Sequence, residues 1–339
     1  MINPVSTNLS QDKSGLSQIF EPVSLELSIL DKKLYENLSS SSTVLNNIVK
    51  YIVEAGGKRL RPAVTFLVAK VLNKGLLPSD HFQIGIALEM IHTATLIHDD
   101  VIDEAETRRG NRTVHKVWND KVAIAAGDYL LAKALTRLAA VNNNLVIDLF
   151  ARTMGEICQG EVEQDAQNYN FISLDQYVEK SARKTAKLFV AGAESAAILT
   201  SGVDNLVIKA TRDYALNFGI AFQIVDDILN FTSNPEELGK PVGIDLQKGI
   251  LTAPVIYALE EYEEKQDYTL RNLIQSEFKV EHDFNLALNL VLNSDGIEKS
   301  KQLAAYYANI AKDALNAFEE NSYKDSLLGL VTFILERKF

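Results

Sequence analysis

The chain is 339 residues long, 47% hydrophobic, and carries 34 Lys and Arg against 45 Asp and Glu, a formal net charge of −11. That length supports a sizeable core in one domain or two, and the acidic balance excludes non-specific nucleic-acid binding through a basic face. Cys158 is the only cysteine, so no intrachain disulfide can form, the five His set out no structural zinc site, and no run of eighteen apolar residues offers a membrane span.

In chain order, residues 1–20 read as a polar N-terminal tail. The segment lacks the charged start and apolar stretch of a signal peptide, and with Asp12 and no Arg it reads poorly as an organelle transit peptide. Residues 21–339 read as a single all-α domain. Apolar residues recur at helical spacing over 23–38, 45–55, 63–72, 81–104, 121–141, 144–165, 174–199, 206–231 and 252–263, and strand-like alternation is missing. Ser79 and Asp80 are placed to cap the helix over 81–104. That helix and the one over 206–231 are apolar nearly all round, which assigns them to the centre of a bundle. Sites in bundles are built from side chains on such facing helices. Residues 111–119 read as an exposed loop or short helix, 232–246 as a loop able to close over a substrate, and 261–283 as a charged surface excursion.

Two acid motifs lie near the ends of the central helices. The first holds His98, Asp99, Asp100 and Asp103; the second holds Gln223, Asp226, Asp227 and Asn230. Residues four apart share a helix face, so Asp99 and Asp103 point together, as do Asp226 and Asn230. Like charges at that spacing repel, and acids in apolar surroundings carry a desolvation cost. A hard divalent cation removes both problems, and Mg²⁺ usually keeps waters and substrate phosphates in its shell. A solvated acid pair explains either motif alone. The basic residues around both motifs change the balance: Lys58, Arg59 and Arg61 upstream, Arg108 and Arg109 after the first, Lys184 between them, and Lys240 after the second. Arg suits bidentate phosphate recognition and Lys acts as a point charge. Together they describe a metal-and-cation cradle for diphosphate.

In these segments the chain resembles the trans-type isoprenyl diphosphate synthases, of the long-chain polyprenyl kind. The resemblance rests on Gly56-Gly57-Lys58-Arg59-Leu60-Arg61-Pro62, His92, the first motif, Arg108-Arg109-Gly110, Gly127-Asp128-Tyr129-Leu130, Lys184-Thr185-Ala186, the second motif and Gly239-Lys240-Pro241. It spans residues 56–254, roughly three fifths of the chain. It implies a large helical bundle around a central cavity, a likeness to homodimers, and Mg²⁺, three ions per site. It implies head-to-tail condensation of isopentenyl diphosphate onto an allylic diphosphate. On this likeness Asp99, Asp103 and Asp226 hold metal, with Asp100 supporting and Asp227 nearby. Arg108, Lys184 and Lys240 meet the allylic diphosphate, Thr185 and Gln223 lie near the developing cation, and Lys58, Arg61, His92 and Arg109 form the isopentenyl diphosphate site. A lone His92 reads more simply as a core histidine; its place seven residues before Asp99 matches the family.

Two departures stand out. Asn230 occupies the place of a third acid, which predicts weaker metal affinity, and Ile250 stands where many relatives carry Lys. Product length follows from the helix leading to Asp99, where short-chain relatives place Phe or Tyr. Here Ala94 and Thr95 are small, and Ile91 and Leu88 deeper down are not aromatic. An open tunnel implies an octaprenyl to decaprenyl product, with solanesyl diphosphate for plastoquinone as the first choice. The implied setting is a bacterial cytoplasm or a plastid stroma. The rival readings are a geranylgeranyl diphosphate synthase, a non-catalytic regulatory subunit, a class I terpene cyclase and an HD-type phosphohydrolase. Five of six motif carboxylates disfavour the subunit, the second cation set disfavours the cyclase, and the five His lack the hydrolase pattern.

Overall fold

A computed structural model describes residues 13–37, 40–166, 168–233 and 242–337. Its helices are α1 (Lys13–Ile19), α2 (Ser24–Asn37), α3 (Thr43–Glu54), α4 (Leu60–Leu72) and α5 (Ser79–Ile102). An antiparallel hairpin of β1 (Thr107–Arg108) and β2 (Asn111–Arg112) follows. Then come α6 (Val114–Val117), α7 (Asp120–Val141), α8 (Asn144–Ala166), α9 (Leu174–Ser181), α10 (Lys187–Ile198) and α11 (Asn205–Thr232). The remainder is α12 (Ile244–Gln247), α13 (Ala253–Glu264), α14 (Thr269–Gln275), α15 (Glu281–Leu292), α16 (Gly296–Ala314) and α17 (Ser322–Glu336). Apart from the short hairpin, the described architecture is all-α, as the periodicity predicts.

The two apolar helices do occupy the centre. α5 packs on α7, α4 and α10, while α11 packs on α16, α10 and α17. Where the helices approach most closely the sequence supplies glycine. A Cβ at Gly219 on α11 would lie 2.5 Å from the Cα of Ala186, and one at Gly127 on α7 would collide with the His98 ring. Two apolar clusters result, one around α4, α5, α7 and α10, the other around the C-terminal half of α11, α13 and α16. Leu216, Tyr307 and Leu335 touch both.

Several local expectations differ from what forms. Lys13–Ile19 is helical, and Ile19 lies beside Gly329 of α17, so residues 13–19 pack on the bundle rather than trail from it. Pro78, not Ser79 or Asp80, precedes α5, and no side chain caps it. Pro suits that edge because the first helical donors have no partner anyway. The stretch over 174–199 is interrupted by a π turn at Ala182–Ala186. Residues 261–283 include the end of α13 and all of α14. Within 111–119 the short helix forms as read, as α6, and β2 precedes it.

Candidate active site

α5 delivers the first motif at its C-terminal end. Asp99 and Asp100 lie in the last turn and Asp103 closes the helix, its N–H donating to the Asp99 carbonyl. No basic residue occupies that turn. Carboxylates at the negative end of a helix dipole are unfavourably placed unless a cation joins them. Burial pushes the Asp99 carboxyl up to about 6, with Lys184 opposing and Glu161 reinforcing the shift. Asp100 is buried and accepts from Arg108 Nε at 2.7 Å, so it orients that guanidinium. His98 packs into the notch left by Gly127, its Nε2 3.1 Å from the Ile124 carbonyl; it locks α5 to α7.

The π turn places Lys184 and Thr185. π turns insert one residue into a helix and recur at functional sites because they re-aim side chains. Lys184 Nζ pairs with Glu161 Oε2 at 2.7 Å. Burial works to lower the lysine, but Glu161 and Asp99 together hold it raised. Thr185 Oγ1 donates to Gln223 Oε1 at 2.5 Å, and Gln223 Nε2 donates to Asp227 Oδ1 at 2.8 Å. Buried Tyr177 donates to the other Asp227 oxygen at 2.5 Å. Burial and the neighbouring Asp245 push Asp227 up to about 7 against these donors. Its neighbour Asp226 is paired with Arg337, which also donates to the Phe222 carbonyl at 3.2 Å and lies 4.3 Å over the Phe222 ring. The Asn230 Oδ1 is buried without a hydrogen-bond partner among the described residues.

A second group of cations sits behind α5. Arg61 Nη1 lies 3.1 Å from His92 Nε2. Arginine can only donate, so His92 accepts there and carries its proton on Nδ1. Burial and then Arg61 and Arg109 hold His92 well below its ordinary pKa, and it is neutral. Burial lowers Arg61 to about 10, its Nε has no partner among the described residues, and its guanidinium lies over Phe189 at 4.8 Å. Arg59 opens α4 in a left-handed conformation (φ 51°) and bridges Glu89 Oε1 at 2.5 Å and Asp31 Oδ1 at 2.8 Å. Arg109, also left-handed at φ 53°, donates to the Gly56 carbonyl. Lys58 lies close enough to Asp226 to act on its charge. A cavity of about 80 Å³ is lined by Arg59, Glu89, His92, Arg108 and Arg109 at one end and by Leu34, Tyr51 and Val53 at the other.

The turn bearing Lys184 and Thr185 links the two motifs: Asp99 feels Lys184, Arg108 and Asp103, Thr185 is bonded through Gln223 to Asp227, and Asp226 feels Lys58 and Arg61, while Asp100, His92, Arg108 and Arg109 line one cavity. Lys240 lies outside the described residues. Ala94, Ile91 and Leu88 are fully buried along α5, and Thr95 donates to the His92 carbonyl at 2.8 Å. The donor set fits a hard divalent cation: carboxylates held at unfavourable positions, raised pKa values and an orphaned amide oxygen. Among the described residues no three His, Cys, Asp or Glu side chains converge into a ready cage. Sequence reasoning missed Tyr177, Glu161, Glu89 and Arg337. Tyr177, Glu161 and Arg337 lie far in the chain from either motif, and Glu89, on the same helix as Asp99, meets Arg59 only through the packing of α4 on α5.

Motif acids interleaved with cations, Arg108 on Asp100 and Lys184 beside Asp99 and Glu161, in a helical bundle describe a diphosphate-handling transferase. Residues 42–291 match the polyprenyl synthetase family model, and the chain belongs to that family and is a prenyltransferase. It is 39% identical over 341 residues to the chloroplastic solanesyl diphosphate synthase 2 of Arabidopsis thaliana, covering 98% of this chain and 80% of that one. Among solved structures it is similar to the heptaprenyl diphosphate synthase of Staphylococcus aureus, with a TM-score of 0.88, 31% identity, and 93% and 98% of the two chains covered. A polyprenyl synthase of Caulobacter crescentus, solved with calcium and isoprenyl diphosphate, gives a TM-score of 0.87 and 32% identity over 96% and 98%.

Proposed function

We propose that the chain joins isopentenyl diphosphate head to tail onto an allylic diphosphate and extends it to a long all-trans polyprenyl diphosphate, of solanesyl length. The observation that carries this is the link between the motifs. Lys184 acts on Asp99 while Thr185 is bonded through Gln223 to Asp227, so one turn serves both acid motifs, and Arg108, Arg109 and His92 line a cavity beside Asp100. Asp99, Asp103 and Asp226 would hold Mg²⁺, three ions per site, and Asn230 contributes a neutral oxygen in place of a third acid. When bound, the metal neutralises charge gathering on the departing diphosphate. Arg108, set by Asp100, and Lys184, set by Glu161, grip that diphosphate from the protein side, with Lys240 assigned there from the motif. Preorganised cations of this kind stabilise leaving-group charge without reorganising. Thr185 and Gln223 present oxygens to the allylic carbons, and the apolar walls keep water from the cation. Lys58, Arg61, Arg109 and neutral His92 hold isopentenyl diphosphate so that its double bond faces the same carbons. The departing diphosphate takes the proton.

Support for a long product comes from Ala94 and Thr95 and from the Arabidopsis relative. The Leu216, Tyr307 and Leu335 contacts between the two cores support a single domain over 21–339. A homodimer, and a plastid or bacterial setting, are inferred from the family alone. No described helix is long and apolar enough to cross a membrane. The test is chromatography of dephosphorylated products from farnesyl and isopentenyl diphosphates. Turnover should vanish in EDTA and return with Mg²⁺, and the product should be a long polyprenol. Ala94→Phe should shorten it to about farnesyl or geranylgeranyl length, because an aromatic ring one turn below the acids fills the path of the tail. A wild type that stops at geranylgeranyl, or a long product unchanged by Ala94→Phe, overturns the length assignment.

A further inference from the structure

Lys248 follows α12 directly, in a segment that the acid motifs do not include. Its Nζ lies 3.6 Å from Asp103 Oδ2 and donates to the Asp103 carbonyl at 3.3 Å, across 145 residues of chain. The backbone on both sides of it is fixed. Tyr169 N–H donates to the Gly249 carbonyl and the Tyr169 hydroxyl to the Gln247 carbonyl, each at 2.8 Å. Gly249 sits at φ +74°, and a Cβ there would lie 2.5 Å from the Tyr169 ring. Ile250 N–H closes the turn on the Asp245 carbonyl at 2.9 Å, and Gly243 N–H ties the start of the segment to the Asn230 carbonyl at 2.9 Å. The segment is therefore anchored to the second motif at one end and reaches the first motif through one flexible amine.

That amine is exchangeable. The side chains of Lys248 and Asp103 are 39% and 38% exposed, and ion pairs so open to solvent contribute little to stability. Were Asp103 to hold a cation, its hold on the ammonium would weaken and Lys248 would be released beside the first motif. A lysine on a four-carbon stem is a mobile point charge suited to following a leaving anion. Ile250, two residues on, carries no charge.

Building on the condensation reading above, we propose that Lys248 is a further diphosphate-binding residue, which passes from Asp103 to the allylic diphosphate as that group departs. Lys248→Met keeps the aliphatic stem and removes the charge; Lys248→Arg keeps the charge. Lys248→Met should lower kcat about tenfold to a hundredfold and weaken calorimetric binding of inorganic diphosphate with Mg²⁺ about tenfold. Its KM for isopentenyl diphosphate should stay near the wild-type value, and Lys248→Arg should recover most of both losses. Wild-type kcat and diphosphate affinity in Lys248→Met would overturn the inference while leaving the condensation reading intact. So would a KM for isopentenyl diphosphate that rises as far as kcat falls. A wild type without condensation activity overturns both.

Discussion

Asp227 is the residue whose environment is most at odds with its charge. Its folded value of about 7 lies above the ordinary 3.8, so the folded chain binds that proton more tightly than the unfolded chain does. The stability this brings is complete below the unfolded value and drains away as pH rises through 7. Asp227→Asn has no proton to lose, so in EDTA its melting temperature should gain on the wild type between about pH 4 and about pH 7. A difference that stays constant with pH counts against the assignment. The two cation groups make a second residue-level prediction. Arg109→Ala and His92→Ala should raise the KM for isopentenyl diphosphate, whereas Arg108→Ala should mainly lower kcat and allylic affinity, by tenfold or more on the order of one lost charged contact. Equal effects on both substrates would show that the two groups serve one site. The motif residues were legible because charge at helical spacing is a sequence property. The partners that fix them, Tyr177 on Asp227 and Glu161 on Lys184, were not, since each pairing depends on how separate helices pack.

At the scale of elements, the helices could be read closely from apolar periodicity, whereas the interruption that positions Lys184 could not. A π turn at Ala182–Ala186 shifts the helical phase by one residue, and nothing in the local composition marks it. Its place follows from tertiary contact: Gly219 brings α11 against Ala186. Gly219→Ala should therefore cost about 1–3 kcal/mol through overpacking and lower kcat as well, because the push falls on the turn carrying Lys184 and Thr185. Thermal melts and turnover of the same preparation test both. A variant with lower stability and unchanged kcat would separate the packing role from the positioning role. The α1 helix escaped notice for a simpler reason: Lys13–Ile19 is too short for periodicity to stand out, and it is held by α17 rather than by its own propensity.

For the whole molecule, an all-α bundle with α5 and α11 at its centre follows from which helices are apolar on every side. The closing contact does not. Arg337 is 3% exposed and pairs with Asp226 from the far end of the described chain. Arg337→Gln should lower the metal-free melting temperature, by an amount equivalent to about 1–2 kcal/mol for a partly exposed carboxylate left without its cation. Mg²⁺ should restore part of it. An unchanged melt in EDTA would show that the pair holds nothing together. The same contact bears on synthesis. A ribosome releases the segment carrying Asp226 well before the one carrying Arg337, so during translation the second motif waits with its lead acid unmatched. Contacts this distant in sequence form late, and partly folded chains expose apolar surface meanwhile. The half of the bundle built on α11 therefore gains its closing ion pair only after the last helix has left the ribosome.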